Sequence, residues 1–427
     1  MCNHVDGDCG EANGAVEAEA IIGALMTPAG RGEPYRLYAA ARELGPVRKV
    51  GTYPMHLCTG YAETNAVLRD GAFGKMEYQD FPEEWRSMIA KDGALASFGQ
   101  SMLEMNPPNH RRVRSLVSSA FTQRRVAALE PAIERLTDAL VEELAALGEG
   151  GAPVDFMEQF AFRLPVSVIC EMLGVPEEDR YRFRALAHDL TFVLELTENF
   201  EDFGPADAAA AELRAYFTEL AARRRAQPQD DLVSALVQAN DAHDGRLSDA
   251  ELLGNLLLLL VAGFETTSNL LGNGLYLGFE HPKILDQVRM GKVAVSAFVD
   301  EVLRYDSPVQ LTSRVALTDD ASVGGHAVAR GEQIMLLIGA AHRDPGRFDD
   351  PDVFDPARPD NVPLSFGAGI HYCLGQGLAR LEAKIGFARL LERFPAMELA
   401  AAPERRDRLV LRGYETLPLR LGLAARR

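Results

Sequence analysis

The chain is poor in the residues from which metal and disulfide frameworks are built. It has five cysteines in 427 residues, an odd number, and none forms a C-x-x-C pair. Cys2, Cys9, Cys58, Cys170 and Cys373 are scattered, so neither a zinc site nor a disulfide scaffold is indicated, and at most one is expected to carry chemistry. Tryptophan occurs once. Basic residues are also short: 44 Lys and Arg stand against 62 Asp and Glu, a net charge of −18. Such a surface works against general binding to nucleic acid phosphates or anionic lipid. No run reaches the ~20 consecutive apolar residues of a membrane-spanning helix; the longest, Leu256 to Phe264, reads as a buried helix segment. The N-terminus lacks the positive and apolar regions of a secretory signal, so a cytoplasmic location without membrane insertion is expected.

Much else is that of an ordinary globular chain, with 47% apolar residues and material for a large core. Residues 1–30 are acidic, rich in Gly and Ala and without amphipathic period, and are expected to form a mobile tail. Short β-like runs follow between Val47 and Leu57. Helix-start signals then recur: Pro107-Pro108, Pro176-Glu177-Glu178, Pro228 near Asp230-Asp231, and a capping box at Ser248-Asp249-Ala250-Glu251. The last of these predicts a helix from Ser248 to about Glu280, ~32 residues and roughly 48 Å long. A helix so long and apolar must run through a core. A strand-rich patch is expected from Leu311 to Ile338, an irregular stretch from Asp344 to Pro363, a final helix from Leu374, and a β-hairpin in LVLRGYETLPLRL. No linker or internal repeat interrupts this pattern, so 31–427 reads as one domain, mainly α with small β-sheets.

The stretch Phe366–Arg380 reads FGAGIHYCLGQGLAR. Glycines 367, 369 and 375 surround a single cysteine just ahead of a helical run. A helix N-terminus favours a thiolate, and glycines allow close backbone approach to a flat ligand. Taken alone, a cysteine in a glycine-rich turn could equally be inert. GAGIHY also touches the dinucleotide fingerprint G-x-G-x-x-G, but its last position is Tyr372 and no βαβ unit follows. All fifteen residues together resemble the haem-binding signature of the cytochrome P450 superfamily, F-G-x-G-x-H-x-C-x-G-x-x-L-A-R, at every specified position.

That resemblance implies heme b (iron protoporphyrin IX), ligated through Cys373 in a triangular helical domain whose long central helix lies over the haem. Phe366, Gly367 and Gly375 then belong to the haem-binding loop, and His371 donates to a haem propionate. Ala262-Gly263-Phe264-Glu265-Thr266-Thr267 interrupts the apolar run of the long helix and resembles the family's oxygen-activation motif. By resemblance the small pair Ala262 and Gly263 leaves room for O2, and Thr266 and Glu265 serve proton delivery; a hydroxyl bonding back to its own helix is the other reading. Glu301 and Arg304 are three apart on one helix face. In the family such a pair is buried with a further arginine, for which Arg358 is the candidate, in a folding role. His110 and Arg114, four apart, and Arg314 match propionate ligands. The position that holds a histidine in many relatives shortly before the cysteine loop is here Pro363.

The same resemblance lines a mostly apolar substrate pocket with Phe81, Trp85, Met88 and Phe98, with residues around Phe192, with Val309, Gln310 and Leu311, and with Tyr414; core packing is the alternative for each. Arg111, Arg112, Arg114, Arg124 and Arg125 form a basic asymmetry in an acidic chain, suited to an acidic ferredoxin or to simple solvation. With no flavin or nicotinamide motif in the chain, electrons are expected from a ferredoxin and a ferredoxin reductase. The expectation is a monomeric monooxygenase of the soluble bacterial type that inserts one atom of O2 into a secondary metabolite or its precursor, as in antibiotic biosynthesis. Oxidative coupling or ring closure without oxygen insertion, and a non-catalytic haem sensor, are the rivals.

Overall fold

The structure is a computed structural model that describes residues 6–51, 53–77, 80–81, 83, 86, 93–196, 203–242 and 245–422, with no side-chain description for 6–13 and 181. The chain folds into two compact units, each assembled from three separated stretches. No single cut in the sequence separates them.

The first unit comprises residues 1–76, 300–373 and 405–412. Its centre is a five-stranded sheet with strands in the order Val47–Lys49, Met55–Cys58, Gln333–Leu337, Leu311–Ala316 and Phe73–Gly74. Met55–Cys58 runs antiparallel to Val47–Lys49 and parallel to Gln333–Leu337, while Leu311–Ala316 pairs antiparallel with Gln333–Leu337 over five residues. The strand positions agree with the β-like runs of the sequence. One face of the sheet buries Val47, Cys58, Phe73, Ile334 and Leu336 against Val67, Leu68 and Ala368. The expected mobile tail needs correction: Asp6–Leu25 is a helix that packs on Pro34–Glu43 and the first strand, with Ala18 and Leu25 buried. Alanine-rich sequence with few large apolar residues gives a weak amphipathic signal, although alanine is the best helix former.

The second unit comprises 77–299, 374–404 and 413–427. Its axis is the helix Asp249–Glu280, whose 32 residues match the expected span. Ser248 accepts from Glu251 N, and the Glu251 carboxylate accepts from Ser248 N, closing the capping box. By length and composition this helix could cross a membrane, but 72% of its most apolar window is buried within the protein, as befits a core helix. Helices Arg163–Leu173, Ala94–Gly99 and Gln376–Arg393 pack on it. Asp231 caps Leu232–Asp241 by accepting from Ser234 N at 2.7 Å, and Pro176 opens Glu177–Leu190. The expected C-terminal hairpin does not form as such. Pro418–Arg420 instead lies between Val154–Asp155 and Glu398–Leu399 in a three-stranded sheet, apart from Tyr414–Thr416. A one-residue link at Leu417 is too short for the two-residue turns that join paired strands.

Candidate functional site: the cysteine loop and the core helix

Three cysteines fall among the residues with described side chains, and their surroundings divide them. Cys58 and Cys170 are fully buried, and burial pushes each thiol up to about 12, so neither is a thiolate at neutral pH. Cys373 is only partly buried. Its loop is closed by its own N–H donating to Phe366 O at 2.9 Å and by Gly367 N donating to Leu364 O at 2.8 Å. Gly367 and Gly369 sit at φ +68° and +67°, where a side chain is strained, and a Cβ at Gly369 would fall 2.1 Å from Leu68 O. Ala368 pins the loop into the sheet's apolar cluster. Gly375 has ordinary φ and is the N-cap of the helix that begins at Gln376. The loop thus presents one accessible thiol from a fixed backbone.

Nearby in the same unit, Arg314 is 6% exposed and its Nη1 donates to Ser313 O at 2.7 Å, while His371 ends a short turn and is half-buried. Glu301 and Arg304 are both 0% exposed and paired at 2.7 Å. Arg304 also donates to the carbonyls of His342, Pro351 and Val353 at 2.8–3.0 Å. Arg358 reaches Glu301 at 3.6 Å and donates to Asp349, Asp350 and Val353 carbonyls. The three residues named from the sequence are therefore together, and the irregular stretch 349–355 is fixed by guanidinium donors instead of by regular structure.

In the second unit, the core helix is buried along most of its length; at its middle Ala262 is exposed and Gly263 and Thr266 are partly so. These mark an opening at mid-helix. A Cβ at Gly263 would lie 2.9 Å from Ile169 Cγ1, so its smallness admits the neighbouring helix, while Ala262 beside it is exposed. Thr266 Oγ1 donates to Ala262 O at 2.9 Å, the back-bonded geometry, which leaves its lone pairs available to accept. Glu265 is 1% exposed. His110 is 3% exposed and Arg114 half-buried, one turn apart on Asn109–Ser118.

Arg112 does not belong to a free basic patch. It forms a two-pronged ion pair with Glu251 at 2.5 and 3.0 Å, tying this helix to the cap of the core helix. Arg111, Arg124 and Arg125 remain exposed. Of the expected pocket residues, Trp85 and Met88 lie outside the described residues. Phe98 is buried, and Phe192 stacks edge-on with Phe203 at 5.4 Å. Phe81 and Val309 are partly buried, and Leu311 is 3% exposed. Gln310 and Tyr414 sit as core: Gln310 Nε2 donates to Ser307 O and Tyr35 Oη, and Tyr414 packs at 5.0 Å on Tyr276.

Sequence reading passed over a second buried charge cluster. Asp306 accepts from Arg412 Nε at 2.7 Å, Arg405 Nη2 at 3.0 Å and Tyr35 Oη at 2.9 Å. Burial would raise its carboxyl, but Arg412 and Arg405 outweigh that and hold it down at about 2. His342 was also missed. Burial, then Arg304 and Arg343, lower it to about 3, so it is neutral and its Nε2 accepts from Leu364 N at 2.7 Å, at the root of the cysteine loop. Asp306 comes directly after the helix Val295–Tyr305 that carries Glu301 and Arg304, but nothing in the sequence marks arginines a hundred residues away as its partners.

A mainly helical fold with small sheets and a partly exposed cysteine on a glycine-held loop fit a haem-thiolate enzyme. The family model for cytochrome P450 matches residues 20–291 and 294–412. The chain belongs to the cytochrome P450 family, its cofactor is haem, and it is an oxidoreductase of the monooxygenase class. It is 38% identical over 395 residues to the cytochrome P450 monooxygenase PikC of Streptomyces venezuelae, covering 91% of both chains. It is 39% identical to 6-deoxyerythronolide B hydroxylase of Saccharopolyspora erythraea over 91% of this chain and 96% of that one. Among solved structures, P450BioI in complex with a fatty-acid-ligated acyl carrier protein matches with a TM-score of 0.83 at 36% identity, over 92% of this chain and 99% of that one. The residues present fit haem: the donor is a single accessible thiol, and the mid-helix opening is edged by small and hydroxyl side chains.

Proposed function

We propose that the chain hydroxylates or epoxidises a largely apolar secondary metabolite or its precursor. The observation that carries this reading is the exposed step Ala262/Gly263/Thr266 in the middle of a mostly buried helix. Bound haem supplies O2 binding and activation, with the cysteine thiolate favouring O–O cleavage. Cys373 provides that thiolate, and His110, Arg114, Arg314 and His371 offer donors to the haem carboxylates. Thr266 accepts a hydrogen bond at the oxygen side while Glu265 hands on protons. Glu301, Arg304 and Arg358 hold the chain ahead of the cysteine loop. Electrons come from an acidic ferredoxin, served by its reductase, that meets Arg111, Arg124 and Arg125. The enzyme works as a cytoplasmic monomer, and 31–427 acts as one cytochrome P450 domain, a reading supported by the family match across nearly all of it.

The test is an optical titration of the ferric protein with macrolactones, terpenoids, aromatics and cyclic peptides, followed by mass analysis of the product. A shift toward high spin with one class, and a product heavier by one oxygen, is expected. A product that has lost hydrogens without gaining oxygen supports a second reading, oxidative bond formation, which is favoured by the likeness to the solved structure of CxnD, an enzyme "for C-S bond formation", at 32% identity and a TM-score of 0.82. A haem spectrum with tight ligand binding and no turnover with any electron donor would favour a sensor.

A further inference from the structure

Two asparagines of the core helix are equally buried and differently satisfied. Asn255, 0% exposed, accepts from Met102 N at 3.1 Å and donates to Glu251 O at 2.7 Å. Asn269, also 0% exposed, has neither Oδ1 nor Nδ2 in a hydrogen bond to protein. A buried amide in that state is destabilising unless something else meets it, and an ordered water is the usual partner. Space has been made for the amide as it stands. A Cβ on Gly413 would lie 2.0 Å from Asn269 Oδ1, so only glycine at 413 accepts the side chain there.

The position on the helix gives the amide a use. Glu265, Asn269 and Asn273 are spaced by four and therefore lie one above another on a single face, at 1%, 0% and 0% exposure. Leu270, Leu271 and Leu275 occupy the adjoining faces and are as deeply buried. A carboxyl and two amides in line form a polar track within an apolar core, and the middle member lacks protein partners.

We propose that Asn269 holds an internal water, and that Glu265, Asn269 and Asn273 form a hydrated track through which Glu265 recovers the protons it hands on. The proposal rests on the relay role given above to Glu265. When Glu265 gives up its proton, the water at Asn269 returns one to the carboxylate and takes one from the next water toward Asn273. The last water of the track is reprotonated from bulk solvent, so each O–H bond broken is matched by one formed and no charge is left on the track. The amide can both donate to and accept from that water, which holds it oriented without competing for the proton.

High-resolution diffraction from the wild-type holoenzyme tests the water site without any variant. Density within hydrogen-bonding distance of both Asn269 amide atoms is expected, and its loss in Asn269→Leu. That variant should bind substrate as wild type does by optical titration, release several-fold more hydrogen peroxide per electron pair, and show a larger solvent deuterium effect. An empty wild-type site, with Asn269→Leu melting higher than wild type, overturns the proposal, because a dry orphan amide is improved by leucine. A water in place but unchanged coupling in Asn269→Leu, while Glu265→Gln uncouples, overturns the track and leaves the relay standing. Full coupling in Glu265→Gln overturns both.

Discussion

Glu301 with Arg304, sealed inside the protein, and the middle of the core helix, where Thr266 is partly exposed and Asn269 is buried, are two polar places built in opposite ways. Each oxygen of Glu301 has two partners, Arg304 and Asp355 N on Oε1, and Arg304 and Asn361 Nδ2 on Oε2. Arg304 uses all three nitrogens. The core helix instead carries a hydroxyl that bonds only to its own turn and an amide that bonds to no protein atom. A saturated network has no capacity left for a ligand and fixes the backbone around it. Groups with spare capacity mark places where oxygen, water or a proton can be received.

The comparison is tested most severely at the thiols. Cys373→Ala should abolish the thiolate-ligated haem spectrum and all turnover, while Cys58→Ala and Cys170→Ala keep both and lose about 1–2 kcal/mol of stability from small cavities. The ferrous carbon monoxide spectrum of the three variants is the measurement. A thiolate spectrum surviving in Cys373→Ala would remove the assignment of the site.

The saturated network should fail by unfolding. Arg304→Leu leaves the Glu301 carboxylate buried without its main counter-charge and should cost about 3–5 kcal/mol in urea unfolding. Replacing both partners with apolar residues of similar volume should cost markedly less, since no charge is then stranded. Equal losses in the single and double variants would show that the pair acts by shape alone.

Asp306 extends the contrast to pH. Its folded carboxyl is held at about 2, below the ordinary value near 3.8, so the carboxylate is stabilised in the folded state. The resulting stability is present above pH ~4 and is lost as pH falls through the folded value, an effect of about 2 kcal/mol from the size of the shift. Asp306→Asn should flatten the acid limb of the stability curve between pH ~4 and ~2, while lowering stability at neutral pH because Arg412 and Arg405 lose their counter-charge. An unchanged acid limb would mean that other carboxylates dominate it.

How much of this was legible beforehand follows from distance along the chain. The cysteine loop, the mid-helix motif and the Glu301/Arg304 pair are contiguous, and each fixes its own geometry through local glycines, a capping box or helical spacing. Asp306 with Arg412 and Arg405, His342 with Leu364 N, and Arg112 with Glu251 pair residues 22 to 139 apart, and no spacing rule announces them. The first helix was lost for a different reason: alanine-rich sequence forms helix without marking a buried face. Gly263 shows the remaining limit, since a small residue in a motif signals close approach but not whether a neighbour or a ligand approaches.

Thr266 gives the mildest and most discriminating test. Its hydroxyl contributes a back-bond to Ala262 O and no other hydrogen bond to protein, so Thr266→Ala should change stability by under about 1 kcal/mol. If the hydroxyl also accepts at the oxygen side, the same substitution should divert electrons to hydrogen peroxide, lowering product per electron pair by roughly tenfold, about 1.4 kcal/mol of lost discrimination. Thr266→Ser keeps the hydroxyl and should restore most of the coupling. Coupling that falls in Thr266→Ala and recovers in Thr266→Ser, on an unmoved melting curve, separates a receiving group from a packing one; coupling that tracks the melting curve would return Thr266 to the structural side of the comparison.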